Sequence, residues 1–392
     1  MSTVFSKNQK QAIVGMSLAL GLRVFGVSLF LPVFTLFGQQ FTQNGTEIGF
    51  ALGVYGLVQA IFQVPLGALS DRFGRKRVIL FGLFIYAVGS LIAAEATNIY
   101  ILIFARALQG GGAISGAVYA FMADAIEPEK RGRAMGLLGM PMGIAFSVGI
   151  VLGPMIASIS SVRALFVFCA ILVAFAFIYI VVALKEPGHQ PHAELQLAPA
   201  EILLVLRDRR ILWVTVGGFI ANFFQVGIFA ILPVLTTRYK GMANFWELIV
   251  PMVVVGTSIM MWGARQADSG RAKSMTTLAF AFLGLSALAF FIPGYSLFKN
   301  GDSDFLMLIV SGVLFFAGFS MTQPLLSAGV TKLAQSTRVG ATSGVYNMAQ
   351  NLGTFFGGFL GGAFLTHNMG LFLILMGILG FWGAGVVGRA LA

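Results

Sequence analysis

Charge is what this sequence has least of. Asp, Glu, Lys and Arg make up 10% of its 392 residues, against 58% hydrophobic. A soluble domain of this length needs about a quarter of its residues charged to cover its surface, so a water-soluble fold is excluded. Cysteine is almost absent: Cys169 stands alone in an apolar run, which excludes a disulfide framework and a thiolate metal cluster. Histidine is nearly as scarce, with three residues, two of them in HQPH at 189–192. That segment is a polar linker without acidic or thiol helpers, so no metal site is expected there. No nucleophile–base pair can be assembled from so few titratable groups. Catalysis is therefore excluded, and no cofactor is called for.

What the sequence has in abundance is apolar runs of about 20 residues, each able to cross a hydrocarbon core about 30 Å thick. The first begins near residue 11, after SKNQK. It is too long for a signal-peptide core and has no small-residue cleavage site, so it reads as a retained helix. The runs show no period-two alternation, and lipid leaves no backbone group unpaired, so helices are the predicted element. Twelve spans follow, at about 11–37, 46–70, 77–96, 98–123, 134–158, 163–184, 210–237, 246–266, 274–293, 304–328, 339–366 and 369–390.

The net charge of +11 reads as membrane topology and not as nucleic-acid affinity, because the basic residues sit in short clusters between spans. One set of alternate connections holds Lys7 and Lys10; Arg72, Arg75, Lys76 and Arg77; Lys130, Arg131 and Arg133. The same side continues with Lys185, Arg207, Arg209 and Arg210; Arg265, Arg271 and Lys273; Lys332, Arg338 and Arg389. The opposite side has Arg163, Arg238, Lys240 and Lys299. Lys and Arg concentrate in cytoplasmic loops, which places both termini in the cytoplasm. The longest polar segment, from Glu186 to Arg210, divides the chain into an N-terminal six-helix bundle (1–185), a cytoplasmic linker (186–209) and a C-terminal six-helix bundle (210–392). The halves echo each other: LPVF at 31–34 matches LPVL at 232–235, and Gly132, Gly136, Gly149 and Gly153 recur 208 residues later as Gly340, Gly344, Gly357 and Gly361.

Three motifs fall on these spans in order: GALSDRFGRKRV (67–78) between the second and third, LIFARALQGGGA (102–113) on the fourth, and GIVLGPMIAS (149–158) on the fifth. In sequence and placement they resemble the major facilitator superfamily, drug:H+ antiporter type, over the whole chain. The resemblance implies an all-α membrane protein of two pseudo-symmetric six-helix bundles that rock about a central cavity. The fifth-span motif departs from the antiporter form at its end, where Ala157 and Ser158 replace two glycines.

Within that frame Gly67 is expected to admit a close helix neighbour and Gly74 a tight turn. Asp71 is expected at the N-terminus of the eleventh span, around Gly340. With Arg72, Arg75 and Asp124 these form a conformational latch, Arg75 pairing with Asp124. Arg23 and Arg106 lie inside spans, where a charge costs about 2.5–3.5 kcal/mol on insertion scales. Each is expected to bind an anionic substrate group, to join a charge relay, or to be satisfied by carbonyls and amides such as Gln59, Gln63 or Gln109. The resemblance ties Arg106 to proton coupling. Tyr55, Tyr119, Asn222, Gln225, Gln323, Tyr346, Asn347 and Gln350 are expected to line the cavity, and Gly149, Gly153 and Pro154 to pack and bend the fifth span. The function expected is proton-coupled export of small organic compounds by a monomer in the bacterial inner membrane. The partners are a small-molecule substrate, protons and the lipid bilayer, with no nucleic acid. The alternative is uptake or export of an anionic metabolite or siderophore held by Arg23 and Arg106.

Overall fold

The computed structural model describes residues 5–188, 204–239, 245–294, 301–334 and 339–390. HQPH, Lys240, Lys299 and Arg338 lie outside the described residues, as do the surroundings of Gly340. Among the described residues every regular element is helical. Among the described residues ten stretches are long and apolar enough to cross a membrane, against the twelve spans expected; Trp246–Gly294 counts as one of the ten.

The helix ends follow local chemistry. Helix α1 (Lys7–Phe30) opens on a capping box in which Gln9 N–H donates to Ser6 Oγ at 3.3 Å and Ser6 N–H to Gln9 Oε1 at 2.9 Å. It stops short of the expected residue 37, because Pro32 has no N–H to continue the ladder. The short α2 (Phe34–Gly38) follows. Helix α3 (Gly45–Phe73) ends where Gly74 adopts φ 100°, a left-handed conformation that glycine takes without a Cβ clash, and α4 (Arg75–Ala94) starts at once. The span expected at 98–123 is two helices, α5 (Ile99–Gly111) and α6 (Ser115–Ala125). The run Gly110–Gly111–Gly112 weakens the helix there, and a Cβ on Gly82 of α4 would lie 3.4 Å from the Gly112 oxygen. Helices α7 (Pro128–Ile159) and α8 (Val162–Ala183) complete the first half.

The second half holds α9 (Arg209–Tyr239), α10 (Trp246–Gln266), α11 (Ala272–Gly294), α12 (Gly301–Leu333), α13 (Val339–His367) and α14 (Met369–Ala390). Between α10 and α11 the segment Ala267–Arg271 breaks at Gly270, where φ is 88°.

The chain divides into two compact units, Met1–Leu31 with Val58–Gln196, and Pro32–Leu57 with Leu197–Ala392. In the first, α1 packs on α7, and α4 on both α5 and α8. In the second, α9 packs on α13, and α11 on both α12 and α14. Counted by spans, both units therefore pair first with fifth, third with fourth, and third with sixth, which supports the internal repeat. The repeated glycines make the first–fifth contact. A Cβ on Gly149 would lie 2.9 Å from the Phe25 oxygen and one on Gly153 2.9 Å from the Leu29 carbonyl carbon. In the other unit Gly357 and Gly361 meet the backbones of Phe223 and Gly227 in the same way.

Pro32–Leu57 groups with the second unit because the first half of α3 lies along α13. A Cβ on Gly49 would be 2.5 Å from the Gly358 oxygen and one on Gly56 2.6 Å from the Asn351 oxygen. Phe50 meets Phe355 and Phe359 edge-on at 5.9 and 6.2 Å, and Thr35 Oγ1 donates to the Ala230 oxygen at 2.9 Å. Helix α8 shows how each span sorts its faces. Phe166, Cys169, Val173, Ala176 and Ile180 are buried, whereas Ile171, Phe175, Ile178 and Val182 form an exposed apolar stripe suited to lipid.

Candidate functional site

The α3–α4 turn concentrates the most deeply buried charge of the first unit. Arg75 is 1% exposed, so its guanidinium needs compensation from protein. It finds three partners: Asp71 one turn earlier, Asp124 Oδ2 at 3.1 Å from Nε, and Ser70 Oγ, which accepts from Nη1 at 2.6 Å. Ser70 Oγ in turn donates to the Gly67 oxygen at 2.6 Å. Two carboxylates around one guanidinium leave an excess of one carboxylate within this trio, beside the basic Arg72, Lys76 and Arg77, and Asp71 keeps a 19% exposed side chain. The expected Arg75–Asp124 pair is thus present. At Gly67 nothing among the described residues lies within 4 Å of a Cβ built there, while a Cβ on Gly116 would come 3.7 Å from the Gly67 Cα. Arg72 is exposed and lies over the Phe73 ring, 5.5 Å from its centre.

The same turn is tied to the end of α8. Lys76 Nζ donates to the Val181 and Leu184 oxygens at 3.0 and 2.5 Å, while Glu186 accepts from Lys76 N–H at 3.1 Å. A basic side chain thereby caps a helix C-terminus and an acidic one caps a helix N-terminus, each favoured by the helix dipole. Beyond that turn, the N-cap residue Glu127 accepts from Gln9 Nε2 at 2.6 Å, and that hydrogen bond, followed by Lys130, holds its carboxyl below the usual glutamate range.

Deeper in the first unit, Arg23 and Arg106 are 3% and 2% exposed. Arg106 Nη1 donates to Gln109 Oε1 at 2.7 Å, Gln109 Nε2 to Ser90 Oγ at 2.8 Å, and Ser90 Oγ to the Tyr86 oxygen at 2.8 Å. Gly89 makes this reach possible, since a Cβ there would lie 2.9 Å from Gln109 Cγ. Arg23 sits 5.4 Å from the centre of the Tyr86 ring, a cation–π contact, and Arg106 lies 6.0 Å from Phe30, which stacks on Phe166. Of the amides proposed from sequence to satisfy the arginines, Gln109 does so for Arg106. Sequence reasoning missed Ser70, Tyr86 and Ser90. Tyr86 and Ser90 stand four apart in the apolar α4, a spacing that puts both on one helix face.

In the second unit the polar residues on α9, α12 and α13 partly converge. Gln350 Nε2 donates to Tyr346 Oη at 3.1 Å and lies 3.5 Å from Gln323 Oε1, whereas Asn222 Nδ2 turns to its own helix and donates to the Gly218 oxygen at 3.0 Å. Tyr346 is buried; Asn222, Gln323, Asn347 and Gln350 are half-buried. Gln225 and Tyr55 are buried, Gln59 is half-buried, and Tyr119 is 36% exposed. Gly149 and Gly153 pack as expected, with Pro154 inside the continuous α7.

Residues 16–358 match the family model of the Major Facilitator Superfamily. The chain belongs to that superfamily. The Inner membrane transport protein YajR of Escherichia coli strain K12 is 33% identical over 90% of this chain and 77% of its own length. The Tetracycline resistance protein, class G, of Vibrio anguillarum is 29% identical over 89% of this chain and 88% of its own. A crystal structure of a point mutant of the nucleoside transporter NupG superposes with a TM-score of 0.70 at 15% identity, covering 97% of this chain and 98% of that one, which shows a shared fold. This member of the superfamily is a multi-pass integral membrane transporter of small molecules and not an enzyme.

Proposed function

We propose that the protein exports small organic compounds across the bacterial inner membrane in exchange for protons, by alternating access of two six-helix bundles. In this reading twelve helices span the bilayer, both termini are cytoplasmic and the working unit is a monomer. The observation that carries export is the kinship with a tetracycline resistance protein along nearly the full length of both chains. The buried cluster at the α3–α4 turn supports the alternating step. Arg75 fixes Asp71 and Asp124, and Asp71 keeps a 19% exposed side chain; the proposed latch has this carboxylate cap the eleventh span. A carboxylate at a helix N-terminus gains about 0.3–2 kcal/mol, enough to bias a two-state equilibrium several-fold. Arg106, oriented by Gln109, is the candidate coupling group, and Asn222, Gln323, Tyr346, Asn347 and Gln350 are candidate cargo contacts.

Reconstituted protein in vesicles with imposed pH gradients of either sign tests this. Outward substrate flux should follow the gradient, and Asp71→Asn should slow it several-fold. Flux indifferent to the gradient overturns proton coupling. A second reading, uptake or export of an anionic metabolite or siderophore, is favoured by the two buried arginines of the first unit. Inward flux of an anion in the same vesicles, lost in Arg23→Ala and Arg106→Ala, would establish it instead.

A further inference from the structure

We propose that Glu186 is a positioning residue of the latch. It caps α4 from the far end of the first unit, fixes where Arg75 stands, and makes the opening residue of the linker part of the α3–α4 turn. The inference rests on the reading of that turn as the latch and adds the residue that holds it in place.

The need for such a cap follows from Gly74. An N-cap residue usually accepts, through its own side-chain oxygen, a hydrogen bond from an N–H of the first helical turn. At this position φ is 100° and ψ 140°, a conformation open essentially to glycine alone. The chain therefore turns sharply from α3 into α4 only by giving up a local cap, and Gly74 makes no side-chain cap bond. Glu186 supplies one from 110 residues along the chain: the Lys76 N–H, the second of α4, donates to its two carboxylate oxygens at 3.1 and 3.3 Å. A Cβ on Gly74 would lie 3.3 Å from the Glu186 carboxyl carbon, so the bare glycine also leaves room for the incoming group. A carboxylate placed there meets the positive end of the helix dipole.

The carboxylate is itself held. Leu184, two residues earlier, is 5% exposed and fits against Gly15 of α1, where a Cβ would lie 2.7 Å from Leu184 Cδ1. Lys76 Nζ donates to the Val181 and Leu184 oxygens, carbonyls at the end of α8 that its own ladder leaves without partners. The two helices thus exchange caps, α4 giving a cation to the end of α8 and receiving an anion from just beyond it. The adjacent Arg75, first residue of α4, is bound to Asp71, Asp124 and Ser70. The first turn of α4 is therefore anchored to α8 through residue 76, and to α3 and α6 through residue 75. Release of Glu186 lets that turn fray, and Arg75 loses the backbone that aims it. Because Glu186 opens the linker of the proposed two-bundle carrier, tension on the linker and loosening of the latch become one event.

The test reads the first turn of α4 in the purified full-length protein, with no cargo present. Val78 is 7% exposed, and its N–H donates to the Gly74 oxygen at 3.3 Å at the start of the α4 ladder. Val78→Cys should react slowly with N-ethylmaleimide. The native Cys169, 1% exposed in the same unit, is an internal control resolved by peptide mass spectrometry. Adding Glu186→Ala should speed labelling at residue 78 at least tenfold and leave Cys169 unchanged. Glu186→Gln, whose amide oxygen still accepts from the Lys76 N–H, should restore most of the protection. Glu186→Ser, too short to reach, replaces the alanine variant if that one folds poorly. Labelling at residue 78 unaffected by the loss of Glu186, an equal rise at Cys169, or a Glu186→Gln variant as reactive as Glu186→Ala would each overturn the proposal. Flux indifferent to Asp71→Asn would sink the latch while leaving this cap standing.

Discussion

Arg75 shows at the residue scale how a chain so poor in charge uses the little it has. A guanidinium at 1% exposure is tolerated because Asp71, Asp124 and Ser70 converge on it from two helices. Removing the cation leaves two crowded carboxylates, one of them 1% exposed. Arg75→Ala is therefore expected to destabilise by about 3–5 kcal/mol, read by thermal unfolding in detergent, with Asp124→Asn milder because an amide still accepts from Nε. Equal stability of Arg75→Ala and wild type would show the pair to be dispensable. Glu127 makes the complementary case in an exposed group. Its carboxyl is held below the ordinary range chiefly by Gln9, so its contribution is complete above the unfolded glutamate value and fades as pH falls through the folded one. Gln9→Ala should lower the melting temperature at neutral pH, and the gap to wild type should shrink on acidification. A gap that widens towards acid contradicts the assignment.

At the scale of elements the glycines divide into those that are pressed and those that are not. Gly153 and Gly357 lie against the backbones of Leu29 and Phe223, so an alanine at either should push α7 off α1 or α13 off α9. Each is expected to cost about 1–3 kcal/mol. Because they belong to different units, the double variant should be additive within about 0.5 kcal/mol. Gly67 predicts the opposite: with open space around it, Gly67→Ala should stabilise α3 by about 0.5–1 kcal/mol while slowing transport if the latch closes there. Unchanged transport with the stability gain would remove Gly67 from the latch. The same contrast marks what could be read from sequence. The helical class, the positions of the long apolar helices and the Arg75–Asp124 pair were legible, because apolar length and a charge in an apolar context each have few physical solutions. The breaks at Pro32 and Gly112 were missed because the apolar run continues across them. The Ser90–Gln109–Arg106 chain was hidden because a serine or tyrosine in an apolar helix reads alike whether it faces lipid or a neighbour, and only packing around Gly89 decides.

Orientation is the property of the whole molecule on which transport direction depends, and α4 is where it can be measured most directly. Its 20 residues rise about 30 Å at 1.5 Å each, one hydrocarbon thickness, so its two ends must open on opposite faces. Arg75, Lys76 and Arg77 stand at one end and the acidic Glu95 at the other, with Thr97 exposed just beyond. If basic residues are retained on the cytoplasmic side, Arg77 is expected inside and Thr97 outside. Cys169 is buried, and Cys169→Ser supplies a thiol-free background. In it, Thr97→Cys should react with a membrane-impermeant maleimide in intact cells, and Arg77→Cys only after permeabilisation. The outcome reaches well beyond one helix. The spans alternate, so finding residue 77 outside would reverse every loop, carry both termini across the membrane and turn the proposed exporter's cytoplasmic latch into an external one.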